Sequence, residues 1–351
     1  MEIYFINVIL VYVMTTLAKI FVKRRKSLSN IFLIIAILIP TIIAGIRYNV
    51  GTDYFNYIEW FNQYINHHIY WGAKDIGFVI LIKIIQVFSS NYQWLFAISA
   101  LLINTLILYF VKKNTDEYNL GYTLFFTLYS YCSSLNITRQ WIAIAIVLVA
   151  LNFAFKNKRA KACLLIMMAS MFHKTAIFLI PFVFIINMKF NIKKVFLVLL
   201  VIIMILLSFE NVVYKVSKYI DLTQYLKYLK NSEMGGGGYA YFIFGLITLT
   251  AMLIFYKDYK EKNLNTTGQI WLISILTVFS FFGPVNFIFD RLTGYFVPIL
   301  YVCIPNLVHL IKDNRQRKFF NYLMMMVSIL YMYKCLLNNG GQVVPYQTFL
   351  R

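Results

Sequence analysis

Long apolar segments recur from one end of this 351-residue chain to the other. A helix needs about 20 mostly apolar residues to cross the hydrocarbon core with its backbone polar groups bonded internally. Hydrophobic residues make up 61% of the chain, well above their share in soluble domains. A membrane barrel would alternate apolar and polar residues, which the run "VFLVLLVIIMILL" at 195–207 does not do. The fold class is therefore an all-α, polytopic transmembrane helical bundle.

The pattern predicts about 12 to 14 spans, some of them re-entrant, in a single integral membrane domain over residues 1–351. Residues 1–22 precede the basic run "KRRK", the reverse of a signal peptide, so they are expected to be a retained first helix. The predicted spanning segments are 3–22, 30–46, 76–89, 93–111, 119–134, 140–155, 161–173, 175–188, 195–209, 239–256, 269–286, 293–311 and 319–336.

The formal charge of +20 comes mostly from short basic clusters between apolar segments. Retention of such loops in the cytoplasm explains these clusters without a nucleic-acid partner. The clusters lie at 23–26, 156–161, 189–194, 257–262 and 312–318. Their placement puts Arg139, the turn at Phe172 and His173, and the C-terminal tail on the outer side.

Before Arg139 the alternation of sides fails by one crossing, so one segment is expected to be re-entrant or to lie flat. The candidates are the aromatic stretch 54–72, the short pair of segments around "SSNYQ", and residues 112–138. Irregular backbone at membrane depth is tolerated where it lines a wet cavity, so this irregularity is expected near the functional site.

Residues 210–238 are predicted to form an extracytoplasmic loop with a helix lying in the membrane interface. Four glycines at 235–238 then provide a flexible joint. The alternatives are an ordinary surface helix with a linker, or a mobile flap over an external cavity.

No cofactor or metal is expected. The chain has no Walker A loop, no dinucleotide-binding glycine pattern with an acidic partner, and no nucleophile elbow. The four cysteines lie in or beside apolar segments at wide spacings and are expected to be buried thiols. His67 and His68 have no matching third ligand in the sequence.

Four polar pairs lie at predicted outer helix ends, in a chain with only 13 acidic residues. A charged side chain at the centre of a membrane helix costs roughly 2.5–3.5 kcal/mol, so such residues usually face a cavity or a partner. An arginine cluster suits a phosphate or diphosphate, because the guanidinium fork donates parallel hydrogen bonds. For any one arginine the alternative is interfacial snorkelling. The pairs are Arg47 with Asp53, Arg139 with Gln140, His173 with Lys174, and Asp290 with Arg291.

Two of these residues have structural and functional interpretations that the sequence leaves open. Asp53 either caps the helix that begins at Tyr54, or acts as a general base or an orienting carboxylate. His173 is either a packed interfacial residue or a base that takes a proton from a hydroxyl.

Six short motifs occur in an order and spacing that resemble the EpsG-like family of bacterial membrane proteins, which is grouped with Wzy-type repeat-unit polymerases. They are "RYNVGTDYFNY" (47–57), "DIGF" (75–78), "ITRQWIAIAI" (137–146), "MASMFHKTAIFLIP" (168–181), "DRLTGYF" (290–296) and "VPYQTFLR" (344–351). The resemblance implies a GT-C-like membrane glycosyltransferase architecture in the bacterial cytoplasmic membrane. It further implies polymerisation, at the outer face, of oligosaccharide units carried on undecaprenyl diphosphate, for capsule or exopolysaccharide. The positions that match the family pattern are Arg47, Gly51, Asp53, Tyr57, Arg139, Gln140, His173, Arg291 and Tyr346.

In the reaction so implied, charge builds on a leaving diphosphate, which fixed arginines can stabilise. We expect Arg47, Arg139 and Arg291 to bind this diphosphate, with Asp53 or His173 as the acceptor's base. The sugar-binding residues are expected to be Tyr54, Tyr57, Trp60 and Gln140.

The expected partners are the lipid-linked oligosaccharide, the bilayer and other polysaccharide assembly proteins. One alternative is a flippase for lipid-linked oligosaccharides, which would distribute charged residues along a path through the membrane. Another is an O-acetyltransferase or a structural subunit of the assembly machinery.

Overall fold

The chain forms helices throughout the part that the computed structural model describes. That part comprises residues 1–64, 75–189, 239–262, 265–284 and 287–350, with isolated positions between 191 and 208. The predicted loop 210–238, with its interfacial helix, and His67 and His68 lie outside the described residues.

The chain divides into two compact units. The first comprises Met1–Ile180 and Ile311–Arg351, and the second Pro181–Leu310. The single domain proposed for residues 1–351 stays a prediction.

The first unit contains α1 (Glu2–Phe21), α2 (Lys26–Gly45), α3 (Tyr54–Gln63), α4 (Ile76–Phe88), α5 (Gln93–Asn114), α6 (Tyr118–Thr127), α7 (Ser130–Asn136), α8 (Thr138–Phe155), α9 (Arg159–Ser170) and a 3₁₀-helix (Lys174–Leu179). Helix α10 (Ile180–Ile185) leads into the second unit, which contains α11 (Ala240–Ile254), α12 (Tyr256–Lys262), α13 (Thr266–Phe282), α14 (Phe287–Phe296), a 3₁₀-turn (Val297–Ile299) and α15 (Leu300–His309). The chain then returns to the first unit as α16 (Asn314–Asn338).

Six helical segments among the described residues are long and apolar enough to cross a membrane, and the bent pair α11–α12 would make a seventh. The protein is therefore a multi-pass helical membrane protein, as the apolar segments predict. The predicted 12 to 14 spans exceed this number, because several predicted spans fold as shorter apolar helices, among them α4 and α13. Most of the predicted span 195–209 lies outside the described residues.

In the first unit, α1 packs against α2 and α6, α2 against α5, α5 against α8, and α8 against α9. One end of this unit, which we call the basic end, carries the lysines and arginines that follow α1. There Lys19 pairs with Glu117, and Asn114 donates to Asn152 over 2.7 Å. The other end, which we call the opposite end, carries Arg47.

The predicted span at 119–134 folds as two short helices, α6 and α7, which are not among the six. Tyr129 has a φ of 66°, which breaks the helix between α6 and α7. The pair begins beside Glu117 at the basic end and finishes at Asn136, which bonds Thr52 at the opposite end. At 1.5 Å per residue, 118–136 covers about 28 Å, close to the hydrocarbon thickness.

Helix α4 resolves the irregular crossing that the sequence predicts. Asp75, just before it, pairs with Arg139, and Gln93, just after it, donates to the Arg47 carbonyl over 3.3 Å. Both contacts lie at the opposite end, and α4 is only about 20 Å long. The prediction of a full span at 76–89 is therefore wrong, because the residues on both sides of this short helix lie at the same end of the unit.

The second unit is held together by close helix packing. Gly245 of α11 lets α13 approach so closely that a Cβ there would lie 2.8 Å from the Thr277 hydroxyl. Buried Tyr259 donates to Gln269 over 2.5 Å and accepts from the Asn306 amide at 3.5 Å.

The location of both flanks of α4 at the opposite end can be tested by labelling with a membrane-impermeant thiol reagent. Cysteines at exposed Phe55 and Asn91 are expected to label from one side of the membrane, and a cysteine at exposed Lys113 from the other. The native cysteines are first replaced by alanine or serine. Labelling of positions 55 and 91 from opposite sides would show that α4 crosses.

Candidate functional site

The loop between α2 and α3 is anchored to the junction of α7 and α8. Asn136 accepts from the Thr52 hydroxyl at 2.7 Å and from the Asp53 amide at 3.0 Å. Gly51 has a φ of +97°, and a Cβ there would lie 3.1 Å from the Leu135 carbonyl. Only glycine accommodates both the left-handed backbone and this close approach. The loop 46–53 therefore has one defined position against the start of α8.

Arg47 is the most deeply buried charge of this loop, with 1% of its surface exposed. It donates to the Leu135 carbonyl, and its guanidinium lies 4.4 Å from the centroid of the Phe96 ring. Its Nε has no partner among the described residues. Burial lowers the pKa of Arg47, an effect that nearby tyrosines, Tyr131 first, partly oppose. The guanidinium lines a crevice with room for about one water molecule, too small for a diphosphate.

The C-terminal tail covers the other side of the same loop. Thr348 forms an antiparallel bridge with Arg47, and the Gly51 amide donates to the Gln342 carbonyl over 3.0 Å. The Tyr346 hydroxyl donates to the Ile43 carbonyl over 2.5 Å. Tyr346, a position of the family pattern, therefore fixes the tail to the end of α2.

Arg139 lies in the first turn of α8 and meets three groups from α3 and from the residue before α4. Its Nη1 donates to the carboxylate of Asp75, and its guanidinium lies 4.3 Å from the centroid of the Trp60 ring. It also lies close to the hydroxyl of buried Tyr57. Burial raises the pKa of Tyr57, with Arg139 lowering it in part, so the hydroxyl stays protonated. With 24% of its side chain exposed, Arg139 is the more accessible of the two arginines of this unit's site.

Asp53 and His173 lie in the same unit. Asp53 occupies the N-cap position of α3, yet its side chain makes no capping hydrogen bond, so the purely structural interpretation loses its main support. It lies near enough to Tyr57 to raise the pKa of that hydroxyl further. His173 is half-buried and precedes the 3₁₀-helix. Two residues before it, the Met171 carbonyl accepts from the Gly77 amide at 2.9 Å, which joins the "DIGF" and "MASMFHK" motifs.

The predicted sugar-binding residues differ in exposure. Tyr54 is fully buried and stacks on Phe96 at 4.9 Å, and Tyr57 and Gln140 are also buried. Trp60 is half-buried. Of the four, Trp60 presents the most surface.

Arg291 belongs to the second unit. It is half-buried in α14, next to Asp290 in the first turn of that helix. The meeting of Arg47, Arg139 and Arg291 around one anion stays a prediction. Nowhere in the described segments do three histidine, cysteine, aspartate or glutamate side chains group as metal ligands would.

Two site residues were missed by sequence reasoning, Asp75 and Asn136. Asp75 stands in the "DIGF" motif at the start of a helix, and in a chain with few acidic residues that position was an available signal. Asn136 offers no such signal, since an asparagine before a helix is common and its partners lie about 84 residues earlier in the chain.

The chain matches the model of the family described as "EpsG family" over residues 30–348. No curated protein and no solved structure matches the chain.

The strained approach of the loop 46–53 predicts that Gly51→Ala destabilises the protein by about 1–3 kcal/mol, through the left-handed φ and the contact with Leu135. The matched control is Gly340→Ala, because a Cβ at Gly340 meets nothing within 4 Å. Thermal unfolding in detergent measures both variants. Equal midpoints for the two would contradict the described loop geometry.

Proposed function

The chain belongs to the EpsG family, and on that premise we propose that it joins oligosaccharide repeat units carried on undecaprenyl diphosphate into a capsular polysaccharide or exopolysaccharide. The family suggests a function of the polysaccharide polymerase type, and the multi-pass helical fold suits a lipid-linked substrate. The basic clusters favour the cytoplasm for the basic end, which would put Arg139 at the outer face of the bacterial cytoplasmic membrane.

The observation that carries the proposal is the Arg139 cluster. It combines a guanidinium, a carboxylate and an indole at one end of the first unit. Arginine suits the diphosphate, and an aromatic ring suits a sugar face. A diphosphate and a sugar face are the two features that a lipid-diphosphate sugar donor presents.

In the proposed reaction, a hydroxyl of one repeat unit attacks the anomeric carbon that joins the growing chain to its lipid diphosphate. A new glycosidic bond forms, the bond from carbon to phosphate oxygen breaks, and the lipid diphosphate leaves with the additional negative charge. Arg139 stabilises that charge electrostatically. The proton of the attacking hydroxyl goes to Asp53 or His173, both of which lie in the same unit.

Arg47 supports this chemistry through the backbone. It donates to the Leu135 carbonyl, four residues before Arg139, and so fixes the turn that leads into α8. Direct binding of the diphosphate by Arg47 requires the crevice beside it to widen. Arg291, from the second unit, is proposed as a further diphosphate ligand.

The sugar contact is assigned first to Trp60. Because Tyr54, Tyr57 and Gln140 are buried, they shape the wall behind this ring rather than present a stacking face of their own. Tyr57 also lies beside Arg139, so it stands between the sugar-binding side of the site and the diphosphate-binding side.

Purified protein supplied with one lipid-linked repeat unit is expected to produce a ladder of polymer and to release the lipid diphosphate. Arg139→Ala is expected to lower the rate at least about 100-fold, the cost of removing one transition-state donor. The control is Arg24→Ala, since Arg24 is exposed at the basic end.

Movement of the lipid-linked unit across vesicles without polymer would instead identify a flippase. Wild-type chain length in Arg139→Ala would remove this residue from the site.

A further inference from the structure

Arg139 already has an anionic partner within its own chain. Its guanidinium is bound by the Asp75 carboxylate, and the two side chains are 24% and 8% exposed. A charge pair so little exposed is weakly screened by solvent, and each partner strongly affects what the other can bind.

Asp75 is held firmly in this place. It lies just before α4 with a φ of 57°, in the left-handed region that few residues other than glycine adopt. Two residues later, Gly77 lies so close to the end of α9 that a Cβ would be 3.0 Å from the Met171 Cβ and 3.1 Å from its carbonyl. The backbone beside Asp75 is therefore fixed close to the end of α9, where the Gly77 amide donates to the Met171 carbonyl over 2.9 Å.

Arg139 nevertheless keeps hydrogen-bonding capacity. Its Nε is buried and has no partner among the residues that the structure describes. A guanidinium carries five N–H donors, and it binds planar or tetrahedral oxyanions best with two parallel bonds. The Trp60 ring and the Tyr57 hydroxyl lie beside the guanidinium, and neither is a partner of its Nε. An oxyanion with more oxygens and more charge than a carboxylate could satisfy the guanidinium better.

We propose that Asp75 and the diphosphate of the lipid-linked donor compete for the guanidinium of Arg139, so that donor binding displaces the Asp75 carboxylate. This inference rests on the function proposed above. Asp75 is then a positioning residue, which holds Arg139 against Trp60 until a diphosphate replaces it. Because a ligand must displace Asp75, the donor binds less tightly than it otherwise would. Monovalent anions, which attract the guanidinium less strongly than a diphosphate does, fail to displace the carboxylate.

The proposal predicts a gain of affinity when the charge of Asp75 is removed. Asp75→Asn keeps an oxygen that can accept from Arg139 but loses the competing charge. Inorganic pyrophosphate, the probe, is expected to bind this variant about tenfold more tightly than it binds the wild type, the effect of one charge-assisted hydrogen bond. Isothermal titration calorimetry on the purified full-length chain measures the dissociation constant. In the polymerisation assay the KM for the donor is expected to fall by a similar factor.

Two controls separate competition from a general effect of charge or folding. Asp116→Asn makes the same change of net charge at an exposed site beyond α5, and it is expected to leave the dissociation constant unchanged. Asp75→Glu keeps the charge and is expected to bind no more tightly than the wild type. Adding Arg139→Ala to Asp75→Asn is expected to remove the gain.

Unchanged or weaker pyrophosphate binding by folded Asp75→Asn would overturn the proposal, as would an equal gain in Asp116→Asn. These outcomes differ from a failure of the proposed function. If the wild type makes no polymer while Asp75→Asn still binds pyrophosphate more tightly, the competition stands and the polymerase assignment falls.

Discussion

The first unit depends on a buried guanidinium with a backbone carbonyl as its acceptor. Arg47 gives up water almost completely, which is costly for a charged group. The Leu135 carbonyl and the face of the Phe96 ring offset part of that cost. The Arg47 side chain thereby connects the loop after α2 to the turn before α8. Lysine is not equivalent here, because an ammonium lacks the planar, delocalised fork with which arginine can bond a carbonyl and lie over a ring at once.

The bond from Arg47 to the Leu135 carbonyl connects Arg47 to the backbone that leads into Arg139. Leu135, which Arg47 holds, and Arg139, which meets Asp75, lie at the two ends of a five-residue stretch that joins α7 to α8. The loop 46–53 is therefore bonded to the same short stretch of backbone that carries Arg139. The loop contributes to the site by controlling where Arg139 lies, in addition to whatever its own side chains contact.

Much of this arrangement could be predicted from the sequence, because membranes impose strong rules. Apolar length and the placement of basic residues gave the helical, multi-pass fold and the common location of Arg47, Arg139 and the C-terminal tail. Composition could not distinguish a crossing from a helix with both flanks at one end, since almost all residues of α4 are apolar. Only its contacts with Arg139 and Arg47 reveal its course.

The details of the site were less predictable. The sequence singles out arginine and aromatic residues, but burial depends on neighbours distant in the chain, so Tyr54 could not be recognised as an interior residue. The ion pair of Arg139 with Asp75 joins positions separated by 64 residues and has no local signature. A single sequence shows which residues are unusual for a membrane, whereas their partners follow from tertiary packing.

The tail that covers the loop 46–53 has a consequence for how the protein is made. The amides of Tyr48 and Gly51 find their acceptors in Gln347 and Gln342, which the ribosome adds almost 300 residues later. During most of translation the loop 46–53 therefore lacks the tail that it pairs with, and non-local pairing of that kind forms slowly. Assembly of this part of the molecule is thus a late event, which follows the synthesis of the C-terminal tail.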